Sequence, residues 1–451
     1  MELDIVGLVG GCSYALDCIE AEFVHVTNRH GKRVAYISVC MAERLGIEGS
    51  ALQDLAICAM LHDNALTQYI SEEIQENNIH HISLGGNMQG DKNTVVEDRG
   101  MFNESEDIIS ENGMAYSPEI IKSIAGSIHK KIGLHCTYGE QNIKKLPFYT
   151  DVSGVVLYHH ENADGTGTFG KRWDEIPLFA RIIHLCDMVD IMGNSCDFSG
   201  ESWIRAKEYV CRNRNILFDS ECADAFLEVF SEENFVSMSQ DRFEDELWKK
   251  IPRDKRDCDF ETCKGIADFF AGIVDYKSEF TGKHSLGVAK KAAELAEYMG
   301  YSQADIEKFY MAGALHDIGK MAIGNEILEK PGRLTDEEFS RMKNHAGYTY
   351  MILSEVKDFD EVRDWAALHH EKLDGTGYPF GKKAEELNEP ERLMACVDIY
   401  QALTEARPYK SGMSHDKACS ILEDMVQKGW IDAAVTDKLR SCFDVGGRDM
   451  V

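Results

Sequence analysis

Apolar residues recur at helical spacing along nearly the whole of this chain. Leu286, Ala289, Ala292, Leu295, Ala296 and Met299 follow the i, i+3, i+4 rhythm that gives a helix one apolar stripe. The rhythm restarts at Ile306, Phe309 and Tyr310 and runs on through Ala312, Ala314 and Leu315, so His316 falls near the end of a predicted helix. Strand-type alternation flanked by turn residues is scarce. The pattern predicts an all-α protein, and 451 residues suffice for two or three domains with real cores.

The chain also repeats itself. His30 to Ala35 matches His284 to Ala289, and Leu61-His62-Asp63 matches Leu315-His316-Asp317, both at an offset of 254 residues. Further on, His135 pairs with His345, Tyr158 to Glu161 with Leu368 to Glu371, and Asp164 to Gly167 with Asp374 to Gly377, at an offset of 210. Arg181 to Asp187 then repeats as Arg392 to Asp398. An insertion of about 44 residues in the first copy accounts for the change of offset. Its body, residues 77–118, is rich in Asn, Gly, Asp and Glu and reads as a long loop or lid. The expected organisation is two tandem helical bundles, residues 1–250 and 258–451, joined through a charged stretch that carries Pro252.

Charge narrows the partners. Asp and Glu total 78 against 48 Lys and Arg, a net charge of −30, which repels nucleic-acid polymers and anionic lipid surfaces. No apolar run approaches the roughly 18 residues of a membrane span, and the N-terminus lacks the basic start of a secretory signal. The 14 cysteines are scattered with no C-x-x-C pair, as expected of free, mostly buried thiols in a cytoplasmic protein.

The histidines carry the chemistry. Of 16, ten fall at repeat-matched positions: His30, His62, His135, His159 and His160 in the first half, and His284, His316, His345, His369 and His370 in the second. Each half adds two aspartates, Asp63 and Asp187 or Asp317 and Asp398. Imidazoles mixed with carboxylates suit first-row divalent metals, and a carboxylate can bridge two ions. A metal pair can ionise a water near neutral pH and polarise phosphoryl oxygens. Lys320 is spaced to reach a scissile phosphate, and Tyr378, Arg407 and Lys410 could hold the rest of an anionic ligand, although Tyr378 could equally shape a turn. His25, His80, His81, His129, His184 and His415 lack repeat partners and are expected to be surface or structural residues.

Residues 262–445 resemble the HD-GYP family of cyclic-dinucleotide phosphodiesterases. The resemblance rests on His316 to Lys320, Ile327 to Gly332, His369 to Pro379 and Arg407 to Lys410. It implies a helical HD-type fold, two iron or manganese ions, and hydrolysis of cyclic di-GMP or a related cyclic dinucleotide to linear product or nucleoside monophosphate. It assigns one metal to His284, His316, Asp317 and Asp398, and the other to Asp317, His345, His369 and His370. Asp317 and Lys320 would be catalytic; Lys320, Tyr378, Arg407 and Lys410 would bind substrate. A third metal, held in some relatives by a Glu four residues before the first His, is not expected, because Phe280 stands there and Glu279 lies one residue off.

The first half resembles the wider His-Asp phosphohydrolase superfamily and keeps His30, His62, Asp63, His135, His159, His160 and Asp187, implying a second dinuclear site. Leu66 stands in place of Lys320, Ala65 in place of Gly319, and Gly167-Thr168-Phe169 in place of Gly-Tyr-Pro. Three readings of this half stay open: a metallated partner with little activity, a phosphohydrolase of another substrate, or a metal-free scaffold. For the whole chain the alternatives to a cyclic-dinucleotide phosphodiesterase are a nucleotide phosphohydrolase and a non-catalytic cyclic-dinucleotide or redox sensor. Two copies of one bundle are expected to pair within the chain or as a homodimer.

Overall fold

The computed structural model describes residues 1–23, 29–65, 132–194, 197–240, 242–277, 284–328, 330, 332–406 and 412–444. The insertion at 77–118, Leu66, Glu279, Phe280, Arg407 and Lys410 lie outside these described residues, as do His25, His80, His81 and His129.

The protein is all-α, as the apolar spacing predicts. The first half contributes α1 (Ile5–Phe23), α2 (His30–Ala42), α3 (Ser50–Met60), α4 (132–143), α5 (Leu178–Asn194), α6 (Gly200–Arg212), α7 (Ser220–Val229), α8 (Glu232–Ser237) and α9 (Arg242–Lys250). The second contributes α10 (Phe260–Lys277), α11 (His284–Tyr298), α12 (Gln303–Leu315), α13 (Asn325–Leu328), α14 (Asp336–Leu353), α15 (Asp360–Ala367), α16 (Glu389–Thr404), α17 (His415–Gln427) and α18 (Ala433–Phe443). Among the described residues the sheet consists of β1 (Glu2–Leu3) paired antiparallel with β2 (Arg256–Asp257), Glu2 opposite Asp257. The Met1 ammonium donates to the Cys258 carbonyl at 2.7 Å, so the chain start is tied to the segment joining the halves.

Local chemistry sets the helices that carry the second-half histidines. Ser302 caps α12, and Thr335 with Glu338 forms a reciprocal capping box at the start of α14. Asn388 with Glu391 does the same for α16, where Pro390 sits in the first turn and needs no donor. The buried rings of Phe309 and Trp365 stack at 4.4 Å and hold α12 against α15.

The apolar core runs continuously through both halves. Helix α1 packs on α2 and α3, and equally on α14 and the short turn Ile318–Ala322 of the second half. A Cβ on Gly11 would lie 2.4 Å from the Ile352 carbonyl, so glycine is what lets α1 approach that backbone. Lys32, only 1% exposed, donates to Glu244 at 3.0 Å and to Glu355 at 2.8 Å, a buried polar link from α2 across to the end of α14.

The thiols in the described region are free and mostly buried. No helix among the described residues is long and apolar enough to cross a membrane.

Candidate metal centre

In the second half, three helix ends and the interiors of two further helices deliver seven side chains to one buried place. His284 opens α11, His316 and Asp317 follow α12, His345 lies in the middle of α14, His369 and His370 follow α15, and Asp398 sits within α16. His284, His316 and Asp398 form one group, His345, His369 and His370 another, and His316, Asp317 and His369 lie between them. The seven residues named by the resemblance thus lie together, with Asp317 between the two outer groups.

Backbone carbonyls fix the ring tautomers. The Nδ1–H of His316 donates to Gly313 at 2.8 Å, that of His345 to Met342 at 2.8 Å, and that of His369 to Ala366 at 2.6 Å. A carbonyl can only accept, so each Nε2 keeps its lone pair and faces inward. His345 Nε2 and His369 Nε2 then point at each other across 3.5 Å. The buried Asp317 Oδ1 lies 3.4 Å from His345 Nε2 and has no hydrogen-bond partner. Acceptors converging on acceptors in a buried pocket repel one another unless a cation sits among them. The donor set therefore fits divalent metal of the kind that imidazoles and carboxylates hold.

The charges of Asp317, His345, His369 and His370 agree with that fit. Although burial opposes it, His316 and Lys320 hold the Asp317 carboxyl well below the usual range. Burial pushes His345 down to about 3 and also lowers His369 and His370, so these rings are neutral and ready to ligate. His284 is pushed the other way, to about 10, because Asp398 and Glu405 outweigh burial. Its Nδ1–H donates to Glu405 at 2.9 Å, and its Nε2 lies 3.1 Å from Asp398.

Lys320 Nζ donates to Asp317 Oδ2 at 2.5 Å. Gly319 makes this turn possible: a Cβ there would lie 2.0 Å from the His345 carbonyl. The Tyr378 ring sits 4.7 Å from that of His370 and 6.2 Å from that of His345, at the rim of the group. The Gly-Tyr-Pro loop is held from below by Glu371, whose buried carboxylate accepts the backbone N–H groups of Phe380, Gly381 and Lys382. A Cβ on Gly377 would come within 2.3 Å of the Lys372 nitrogen, which explains the glycine of that motif.

The first half assembles a comparable group. His30, His62 and Asp63 lie together, as do His135, Cys136, His159 and His160. His30 Nε2 is 3.3 Å from Asp187 Oδ1. His62 and His159 donate their Nδ1–H to Ala59 at 2.8 Å and Val156 at 2.6 Å, which leaves two buried Nε2 atoms without a partner. His135 differs from its counterpart: its Nε2 bonds Asp63 at 2.8 Å and its Nδ1 has no partner. His184, with no counterpart in the other half, is buried against Phe218. His415 bonds the Tyr400 hydroxyl at 2.8 Å, away from the group.

Sequence reasoning missed the residues behind the ligands. Glu405 orients His284, and Asp190 orients His30 at 2.7 Å while clamped by Arg33. The repeat hides both, because the residue matched to Asp190 is Gln401. Helical phase could have found them: Asp190 is three residues beyond Asp187 and Glu405 seven beyond Asp398, on the same face. Glu371 and its counterpart Glu161, which accepts from Phe169 and Lys171, were visible in the repeat but read as neighbours of the histidines. Cys136 was passed over because Ala346 matches it.

Comparison with known proteins gives the lineage. The chain is 30% identical over 340 residues to the 3'3'-cGAMP-specific phosphodiesterase 1 of Vibrio cholerae, covering 73% of this chain and 78% of that one. It is 40% identical over 167 residues to a cyclic di-GMP phosphodiesterase of the same organism, covering 34% of each. A crystal structure of a cyclic GMP-AMP-specific phosphodiesterase from V. cholerae shares the fold across 99% of both chains, with a TM-score of 0.64 at 22% identity. The HD domain family model matches residues 126–200 and 268–435, over half the chain. With that match and the His369 to Pro379 motif in place, the chain belongs to the HD-domain family, in its HD-GYP branch.

Proposed function

We propose that this protein is a metal-dependent phosphodiesterase that opens a cyclic dinucleotide at the second-half centre. The observation that carries the reading is the cluster of inward-facing lone pairs around Asp317 with Lys320 beside it. His284, His316, Asp317 and Asp398 would hold one ion, and Asp317, His345, His369 and His370 the other. Bound there, the ions supply Lewis acidity at the phosphoryl oxygens and a nucleophilic water ionised near neutral pH.

The chain's own groups do the rest. Glu405 and the three backbone carbonyls keep the rings of His284, His316, His345 and His369 turned inward, so these four need little reorganisation as charge develops. Lys320 donates N–H to the phosphoryl oxygens or the leaving oxygen and offsets charge in the transition state. Tyr378 borders the space above His370 and packs against the ligand. Arg407 and Lys410 hold the second phosphate.

Cyclic di-GMP and 3'3'-cGAMP are the two candidate substrates. A relative named for 3'3'-cGAMP aligns over 73% of this chain at 30% identity and one named for cyclic di-GMP over 34% at 40%, so both dinucleotides stand as candidates. We assign the tandem arrangement, 1–250 and 258–451, a division of labour. The first half binds metal through His30, His62, Asp63, His135, His159, His160 and Asp187 and supports the second without hydrolysing substrate. Turnover of both dinucleotides by anaerobically metal-loaded protein, beside Lys320→Ala, tests the reading. Equal turnover by wild type and variant, or none by wild type, overturns it.

A further inference from the structure

Lys343 lies on α14, two residues before His345, and is half-buried at the rim of the second-half centre. Its Nζ stands 6.0 Å from the Tyr378 ring centroid and 5.3 Å from that of Phe339. The other cations nearby are taken up: Lys330 by Glu338, Arg341 by Glu326, and Lys320 by Asp317. Among the described residues Lys343 has no carboxylate partner. Its charge is thus left unneutralised at the edge of a cluster of imidazoles.

The other half sharpens this. The residue matched to Lys343 is Gly133, and the residue matched to Tyr378 is Thr168. The space a side chain at 133 would enter is bordered by Thr168 and Phe169. Cation and tyrosine are thus absent together from the half that also lacks Lys320.

We infer that Lys343 is a substrate-positioning residue that joins Arg407 and Lys410 in gripping the phosphodiester not under attack, with Tyr378 as the platform between it and the metal ligands. The inference rests on the reading of a cyclic dinucleotide as substrate. Such a ligand carries two phosphodiesters; the metal ligands and Lys320 address one. The other, given above to Arg407 and Lys410, can take a further cation on a stem that reaches across a ring, and ring contacts can hold the lysine stem in place before the ligand arrives. A charge-assisted hydrogen bond from Lys343 would then add affinity for two-phosphate ligands over one-phosphate ligands.

The test compares a cyclic dinucleotide with bis(p-nitrophenyl) phosphate, which has one phosphodiester, for wild type, Lys343→Met and Lys343→Arg. Melting temperature and metal content serve as folding controls. For Lys343→Met, kcat/KM on the dinucleotide should fall at least about tenfold further than on the one-phosphate probe, chiefly through KM. Lys343→Arg should recover most of that loss. Equal falls on both probes, or no fall on either, would overturn the role of Lys343 while leaving the phosphodiesterase reading intact. Wild type that cleaves only the one-phosphate probe would overturn both.

Discussion

The two histidine centres of this chain hold the same seven ligand types, yet only one is built tightly. In the second half Asp317 has a side chain 2% exposed, and Gly319 lets the following turn press on the His345 carbonyl. Asp63 is 21% exposed, and Ala65 stands where the glycine would be. His345 is oriented by the carbonyl three residues before it, whereas His135 spends its Nε2–H on Asp63 and leaves Nδ1 without a partner. His284 is oriented by Glu405 at a helix end; His30 is oriented by Asp190, itself locked by the buried Arg33. The same candidate ligands therefore sit in two different surroundings. The residues one layer out set ring tautomer, access and the cations available to substrate.

Breaking the shared carboxylate should separate the centres most sharply. Asp317→Ala should take turnover below about 10⁻⁴ of wild type and remove metal from the second half, because one side chain serves both ligand groups. Asp63→Ala should leave most of the turnover; comparable losses would place catalysis in both halves. Next comes Lys320→Ala, expected to lower kcat by roughly 10²–10³ with metal content unchanged. Steady-state kinetics with elemental analysis of the same preparation decides it.

Metal content sharpens the comparison further. Anaerobically purified protein should hold about four divalent ions per chain, and His62→Ala combined with Asp63→Ala should bring this to about two. A wild-type value near two, unmoved by the double variant, would mean the first centre carries none. The smallest effect concerns the link between halves. Lys32→Met should destabilise the protein by about 1–3 kcal/mol in denaturant unfolding, below the full cost of breaking a buried ion pair, because Glu355 is 37% exposed and can turn to water. No change in stability would show that this link does not hold the halves together.

Much of this was legible in the sequence. The helical rhythm from Leu286 to Met299 announces α11, and the run to Leu315 places His316 at a helix end, because burial of one face imposes its period on the chain. The internal repeat exposed the matched histidines and aspartates without any coordinates. Glu405, Asp190 and Cys136 escaped, because a repeat reveals only what both copies keep, and these residues are where the copies differ.

The sequence by itself determined the all-α class, the repeat and the seven matched ligand candidates in each half, since these follow from spacing and residue type alone. Only the tertiary structure decided that α1 of the first half packs on the turn carrying Lys320, that Lys32 reaches Glu355, and that Lys343 stands over Tyr378. Each of those joins residues far apart in the chain or on separate elements. Their meeting depends on how helices cross and which backbones can approach, which no local pattern of apolar and polar residues encodes.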